Sequence, residues 1–493
     1  MTETPAPPVV GPGRLFIAGS WTDARDGRTQ ATVNPADGSR TTDVAAASVQ
    51  DLDAAVEAAR RAFDEGPWPR MSVHDRAKVL IRAAELIERD AQEIGYLETV
   101  DMGKPISFSV GHDVPIAAQM YRYFGGLATS ELGGATRPTA TPTFSYTLRE
   151  PVGVVGAITP FNFPLLLSCS KLAPALAAGN TVVHKPAETT PLSALKIAAL
   201  LAEAGLPEGV LNVVTGPGTE LGRALVAHPK VDKVTFTGST AIGQSIVRSA
   251  ADTLKKVTLE LGGKSANIVF ADAYLDQAVE DAFWAGFFNS GQVCVAGSRL
   301  LVQRPVYDEV AGRIAERAAG VVPGDPLDPG TYFGPLGHEG QFRKVAEYVE
   351  VGLADGAELA AGGSAYHSEQ QPKGLYYRPT VFTGADNTMR IAQEEIFGPV
   401  LTVIPFDTEE EAVALANGTP YGLASGVHTR DVKRAHRMAR ALKAGTCWVN
   451  TYTQFDSSMP MGGYKSSGYG RELGPETMES YTQTKSVWID QRD

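Results

Sequence analysis

A chain of 493 residues, 43% hydrophobic and 20% charged, has room for two or three domains and buries its core without disulfide or metal staples. Its 44 basic and 56 acidic residues leave a formal net charge of −12, which argues against a nucleic-acid or anionic-membrane partner. The three cysteines, Cys169, Cys294 and Cys447, are too few and too scattered for a disulfide framework or a zinc site. No metal is therefore expected, and a reducing cytoplasm fits.

The first dozen residues are Pro-rich, with no basic stretch and no apolar core of a signal peptide. They are read as a loosely held start. No apolar run reaches membrane-spanning length, so a membrane location is not expected. Leu52, Ala55, Val56, Ala59 and Phe63 recur at helical spacing and predict an amphipathic helix after Asp51. A second helix is predicted from Ser72, with Val79, Leu80, Ala83, Leu86, Ile87 and Ile94 on one face. Residues 129–149 are rich in Gly, Thr and Pro and end in an alternating, strand-like stretch at 143–149. An oligomerisation arm and a surface hairpin suit this pattern equally.

From 151 to 262, short β-branched runs recur at 152–158, 181–184, 211–214, 231–237 and 256–261. Helical stretches at 192–204 and 220–227 alternate with them, which predicts an α/β fold with a parallel, doubly wound sheet. Such sheets bind ligands at the carboxyl ends of their strands. A second α/β section is expected over 263–462, with helices near 276–288, 306–319 and 341–353 and strands at 400–406 and 447–450. A terminal strand is read at 481–493.

Chemistry-bearing residues follow the predicted strands. Asn162 sits between Phe161 and Phe163 on a loop stiffened by two prolines, where its amide suits an oxyanion donor or a helix cap. Lys185 and Glu188 follow the second run and suit ribose hydroxyls, or a solvated pair at a helix start. Two Gly-rich turns, 216–222 and 238–243, could receive a phosphate at a helix N-terminus, although neither has the usual dinucleotide spacing. Glu260 closes an apolar strand before Gly262 and Gly263; burial there would make it a general base, and a structural ion pair is the plainer alternative. Cys294 lies between Gly291 and Gly297, which permit close backbone approach, whereas Cys169 and Cys447 sit in apolar segments and read as buried and inert.

The strings TPFNFP (159–164), KPAE (185–188), FTGSTAIG (236–243), LELGGKS (259–265), FFNSGQVCVAGSR (287–299), EEIFGPV (394–400) and MGGYKSSGYGRE (461–472) occur in this order. Together they resemble the aldehyde dehydrogenase superfamily along nearly the whole chain. The resemblance implies a Rossmann-like, parallel-sheet cofactor domain over 1–128 and 150–262. It implies a second α/β, catalytic domain over 263–462, and a small β oligomerisation arm over 129–149 and 476–493, with 463–475 connecting. A homodimer or homotetramer would follow.

By the same resemblance Cys294 is the nucleophile, Glu260 the general base and Asn162 an oxyanion donor. Lys185 and Glu188 would hold the adenosine ribose, Gly238 and Ser239 the pyrophosphate, and Glu395 the nicotinamide ribose, with Phe397 beside the ring. Ile158, Thr159 and Phe161 would lie along the cofactor, where Phe161 replaces the family's more frequent Trp. Gly218, Phe236, Ile242 and Leu261 complete that set. Glu188 favours NAD as cofactor, with NADP admissible. The implied substrate pocket is Phe163, Leu166, Leu167, Ser170, Phe288, Val293, Val295 and Phe455, largely apolar, with the directions of Lys171 and Arg299 left open. It implies oxidation of a medium-sized apolar or aromatic aldehyde to the acid through a thiohemiacetal and a thioester. A coenzyme A-acylating semialdehyde dehydrogenase and a catalytically silent relative are the alternatives; the Glu at 260 points to hydrolysis.

Overall fold

Strands rich in Val, Ile and Thr with both faces buried belong inside a parallel sheet sandwiched by helices. Val154–Ile158, Thr181–Lys185 and Lys233–Thr237 are buried at every residue. The computed structural model of the protein describes residues 10–11 and 13–492. The loosely held start expected over the first dozen residues falls almost wholly outside that set.

Two large sheets make the molecule α/β. The first runs in the order Gly468–Tyr469, Lys256–Glu260, Lys233–Thr237, Val154–Ile158, Thr181–Lys185, Leu211–Val213, Leu15–Ile17, Ser20–Thr22. Its five central strands are parallel, and its outer strands are antiparallel. The chain moves outward from Val154–Ile158 to Leu211–Val213, then returns to the other side at Lys233–Thr237. This reversal places a topological switch point between Val154–Ile158 and Lys233–Thr237, where a doubly wound sheet opens a crevice. Apolar clusters fill both faces: Val155 and Val182 pack with Leu172 and Leu176, while Val154 and Val234 pack with Leu52 and Leu225.

The second sheet runs Glu358–Ala361, Thr380–Thr383, Val400–Phe406, Arg299–Gln303, Ala266–Val269, Ala424–His428, Thr446–Val449. Only its Glu358–Ala361 edge is antiparallel. Thr143–Pro151 and Thr482–Asp490 pair antiparallel along their whole lengths, apart from both sheets. No helix among the described residues is long and apolar enough to cross a membrane.

Several boundaries differ from the sequence reading. The first helix spans Val49–Asp64, because Ser48 is its cap and Asp51 its third residue. The Ser48 side chain accepts from the Asp51 N–H while Asp51 accepts from the Ser48 N–H, a reciprocal capping box. The second helix ends at Arg89, so Ile94 belongs to the separate helix Ala91–Met102. At the C-terminus Tyr481 closes a short helix, Thr477–Tyr481, and the strand begins at Thr482. The helix Val114–Glu131 had no counterpart in the sequence reading. Its buried Val114, Ala117, Tyr121, Phe124 and Ala128 recur at helical spacing and form one apolar stripe, a signal the sequence reading passed over.

Candidate functional site

The loop from Phe288 to Ser298 crosses between the two sheets in a conformation that few residue types adopt. Asn289 and Ser290 have φ of 51° and 54°, and Gly291 follows at 71°. Left-handed backbone at two non-Gly residues costs on the order of 1–3 kcal/mol each, so the surroundings must hold it. The Asn289 amide donates to the Asn162 carbonyl at 3.0 Å, and Ser290 Oγ donates to the Gly334 carbonyl at 2.8 Å. Gln292 Oε1 accepts from the Gly337 N–H at 2.9 Å. A Cβ at Gly291 would collide with the Gly398 carbonyl, and one at Gly263 with the carbonyl of Cys294. The glycines thus let protein backbone close around the loop and leave Cys294 partly exposed at its tip.

Asn162 is buried, and its amide donates to the Gln292 carbonyl at 2.9 Å, within the same loop as Cys294. It does not cap the helix Pro164–Ala177, whose cap position is Phe163 with no side-chain bond. One Asn162 N–H is used at Gln292, which leaves the second available. Burial pushes the Cys294 thiol up to about 12, and the charges of Glu395 and Glu260 add to this, against backbone N–H groups of Cys294 and Val295. The protein's own groups therefore oppose the thiolate. Cys169 is buried as expected, but Cys447 is only half-buried. Burial raises both thiols, which keeps them protonated.

Glu260 ends the strand Lys256–Glu260 and is buried, and neither carboxylate oxygen has a hydrogen-bond partner among the described residues. Burial raises it well above the usual carboxyl range; the Glu472 charge raises it further, and Lys171 and Arg471 pull the other way. It makes no ion pair among the described residues, which leaves the structural alternative without support there. Lys171 is engaged, since its ammonium pairs with Glu472 and donates to Thr237 Oγ1 at 2.6 Å. Arg299 is likewise engaged, donating to the carbonyls of Lys264, Leu415 and Ala416 and to Asn387.

The predicted cofactor residues gather along the carboxyl ends of the first sheet and the facing edge of the second. Lys185 is buried, which lowers its ammonium to about 8, and it donates to the Pro186 carbonyl at 2.9 Å. Glu188 is not a merely solvated group: its Oε2 accepts from the Gly218 N–H at 2.8 Å and so caps the helix Gly218–Ala227. A Cβ on Gly218 would lie 3.4 Å from Lys185 Nζ, so the glycine keeps this corner open. Ser239 caps the helix Thr240–Ala250, while Ile242 is 52% exposed in its first turn. A Cβ on Gly238 would meet the Phe236 ring that folds over it, and one on Gly243 the Leu261 side chain. Ile158 is buried, and Thr159 Oγ1 shares a hydrogen with His184 Nε2 at 3.0 Å.

Glu395 Oε1 accepts from the Gly263 N–H at 3.0 Å, and its second oxygen faces Gly262. Phe397 has φ of 62°, held by the Gln341 amide donating to its carbonyl at 2.7 Å. The Phe161 ring lies 5.9 Å from Phe397 and 4.6 Å from His338, a neighbour the sequence reading missed. A free helix N-terminus, an ammonium with spare donors and two carboxylates with spare oxygens suit an anionic pyrophosphate flanked by diols.

A cavity of about 440 Å³ opens beside Cys294. Phe163, Leu166, Leu167, Ser170, Phe288, Val293, Val295 and Phe455 all line it, and none of its lining residues is Lys or Arg. The sequence reading missed its other wall, Phe108, His112, Ile116, Met120 and Trp284. The spacing of 112, 116 and 120 along one helical face was the available signal.

The sequence pattern of the Aldehyde dehydrogenase family matches residues 21–487. The mitochondrial aldehyde dehydrogenase of Homo sapiens is 48% identical over 98% of this chain and 94% of its own length. Among solved structures, the NAD+ complex of an aldehyde dehydrogenase from Bacillus cereus superposes with a TM-score of 0.95, at 45% identity over 97% of this chain and 96% of that one. A variant of the P. syringae AldA indole-3-acetaldehyde dehydrogenase, in complex with NAD+ and IAA, gives a TM-score of 0.94, at 48% identity over 97% and 96%.

Proposed function

Since this chain belongs to the aldehyde dehydrogenase family and is an NAD(P)-dependent enzyme that oxidises aldehydes, we propose that it works hydrolytically through Cys294, with Glu260 as the base that releases the acid. The observation that carries this reading is the buried, unpaired Glu260 carboxyl. A carboxylate without a partner in a dry site retains its full basicity for water.

Cys294, as thiolate, attacks the aldehyde carbon. The oxyanion is held by the spare N–H of Asn162 and by the Cys294 backbone N–H. When bound, the nicotinamide of NAD supplies the hydride acceptor that turns the adduct into a thioester. Glu260 then takes a proton from the water that attacks this thioester, and the Cys294 thiolate leaves. Lys185 and Glu188 hold the adenosine ribose, Gly238 and Ser239 the pyrophosphate, and Glu395 the second ribose. The Glu188 carboxylate repels a 2′-phosphate, which favours NAD; solved relatives with NAD+ bound support this.

The apolar, aromatic pocket suits a medium-sized apolar or aromatic aldehyde, and the name of the P. syringae relative agrees with an aromatic one. The described residues up to 128 and those from 150 to 262 make up the cofactor domain in this reading, and 263–462 the catalytic domain. The paired strands Thr143–Pro151 and Thr482–Asp490 expose Phe144, Leu148, Trp488 and Ile489, and serve as an arm between subunits of a homodimer or homotetramer. A cytoplasmic enzyme keeps its Cys294 thiol reduced.

Rapid-mixing kinetics test the scheme. Cys294→Ala should form no NADH. Glu260→Gln should keep a stoichiometric NADH burst while steady turnover falls about 100-fold or more. A Glu260→Gln enzyme with the parent's steady rate would remove Glu260 from the reaction.

A further inference from the structure

The cavity wall missed in the sequence carries one group able to do more than exclude water. His112 lies in a π-helical turn, Ser109–Asp113, directly before the helix Val114–Glu131. Such wide turns inside helices recur at functional positions. The His112 ring meets Phe288 edge-on at 5.7 Å, and its side chain is 36% exposed.

His112 Nδ1 stands 2.7 Å from Asp113 Oδ1. Asp113 is fully buried, and its other oxygen pairs with the Lys104 ammonium. Lys104 in turn donates to Glu98 at 2.9 Å and lies 4.0 Å over the Phe163 ring. A carboxylate held this way only accepts, so Nδ1 carries the shared hydrogen. In the neutral ring that tautomer leaves Nε2 as an acceptor. Nε2 has no partner among the described residues. Of the other polar groups on this wall, Trp284 Nε1 donates to Glu280 at 2.8 Å, Glu472 holds Ser170 and Lys171, and Thr453 Oγ1 donates to the Tyr452 carbonyl at 2.8 Å, while the Ser457 hydroxyl has no partner among the described residues.

We propose that this pocket selects an aromatic aldehyde whose ring bears a hydrogen-bond donor, a phenol hydroxyl or an indole N–H, and that His112 Nε2 accepts that hydrogen. The proposal rests on the aldehyde-oxidising reading of the cavity and narrows its substrate. An acceptor on the wall of a largely apolar pocket loses its partner when a methylated or unsubstituted ring binds, and that loss is where discrimination arises. Asp113 and its buried cation act through His112 as positioning residues.

The test compares matched substrates by NADH formation: 4-hydroxyphenylacetaldehyde against its 4-methoxy ether, and indole-3-acetaldehyde against its N-methyl derivative. At least one donor-bearing member should exceed its methylated partner by about tenfold in kcat/KM, mostly through KM. In His112→Phe that ratio should fall to within about twofold, and His112→Gln, which keeps an acceptor, should restore part of it. The ratio cancels any general loss of activity in a variant. No preference in either parent pair, or a preference that His112→Phe leaves intact, overturns the proposal. NADH from phenylacetaldehyde without donor preference would defeat this proposal alone. No NADH from any aldehyde would defeat the aldehyde-oxidising reading with it.

Discussion

A carboxyl group with no partner inside a protein is shifted toward its neutral form by its surroundings, and that sets how Glu260 responds to pH. Burial and the charge of Glu472 raise it well above the ordinary range. Its base form is therefore lost as pH falls through the raised value and recovered as pH rises. The Cys294 thiol, pushed up to about 12, moves in the same direction. Steady turnover should climb from mildly acidic to alkaline pH, and a pH profile of kcat that is flat over this span would contradict the assignment. Glu188 works through a different balance, since its Oε2 also caps the Gly218 amide. Glu188→Gln keeps an acceptor for that cap but removes the charge. The KM for NAD should rise about tenfold and the preference over NADP should narrow, as initial rates with the two cofactors would show. An unchanged cofactor ratio would place Glu188 outside the ribose site.

At the scale of elements, the site depends on how helices begin and how one loop is held. The capping box at Ser48 and Asp51 starts the helix Val49–Asp64, whose Leu52, Val56 and Ala59 cover one face of the first sheet. Ser48→Ala should cost about 1 kcal/mol, read as a lower urea midpoint at an unchanged slope. The Cys294 loop carries its conformation on Asn289, Ser290 and Gly291, tied to Asn162, Gly334 and Gly337 by the bonds described above. The loop that bears the Asn162 amide and the loop that bears the Cys294 thiol are thus fixed to each other, which is the preorganisation the proposed oxyanion site needs.

Across the whole molecule, the paired strands Thr143–Pro151 and Thr482–Asp490 leave large apolar side chains in solvent, with Trp488 at 59% and Ile489 at 47% exposure. Such a two-stranded ribbon is marginal alone and gains stability by packing on another surface. Removing residues 482–493 should lower the assembly mass measured by light scattering, with loss of thermal stability. An unchanged mass would assign the arm a role within the single chain.

The sequence alone made the strand ends legible, because turns, Gly-Gly steps and Pro-flanked loops impose local constraints that neighbouring residues must satisfy. Asn162, Glu260 and Cys294 lie on such segments, whereas Leu166, Leu167 and Ser170 sit within the helix Pro164–Ala177. The parallel strands were legible for the same reason, since β-branched runs bounded by helical stretches admit few other arrangements. Element ends were read less well, because Asp51 and Tyr481 take their places from a reciprocal cap and a short helix rather than from any periodicity. Only the tertiary structure decided which way side chains point. Lys171 pairs with Glu472 across 301 residues, Asn162 bonds the Gln292 carbonyl across 130, and His112 reaches the cavity from a π-helical turn far along the chain from Cys294. Those partners are set by how two sheets pack, and no pattern confined to one segment carries that information.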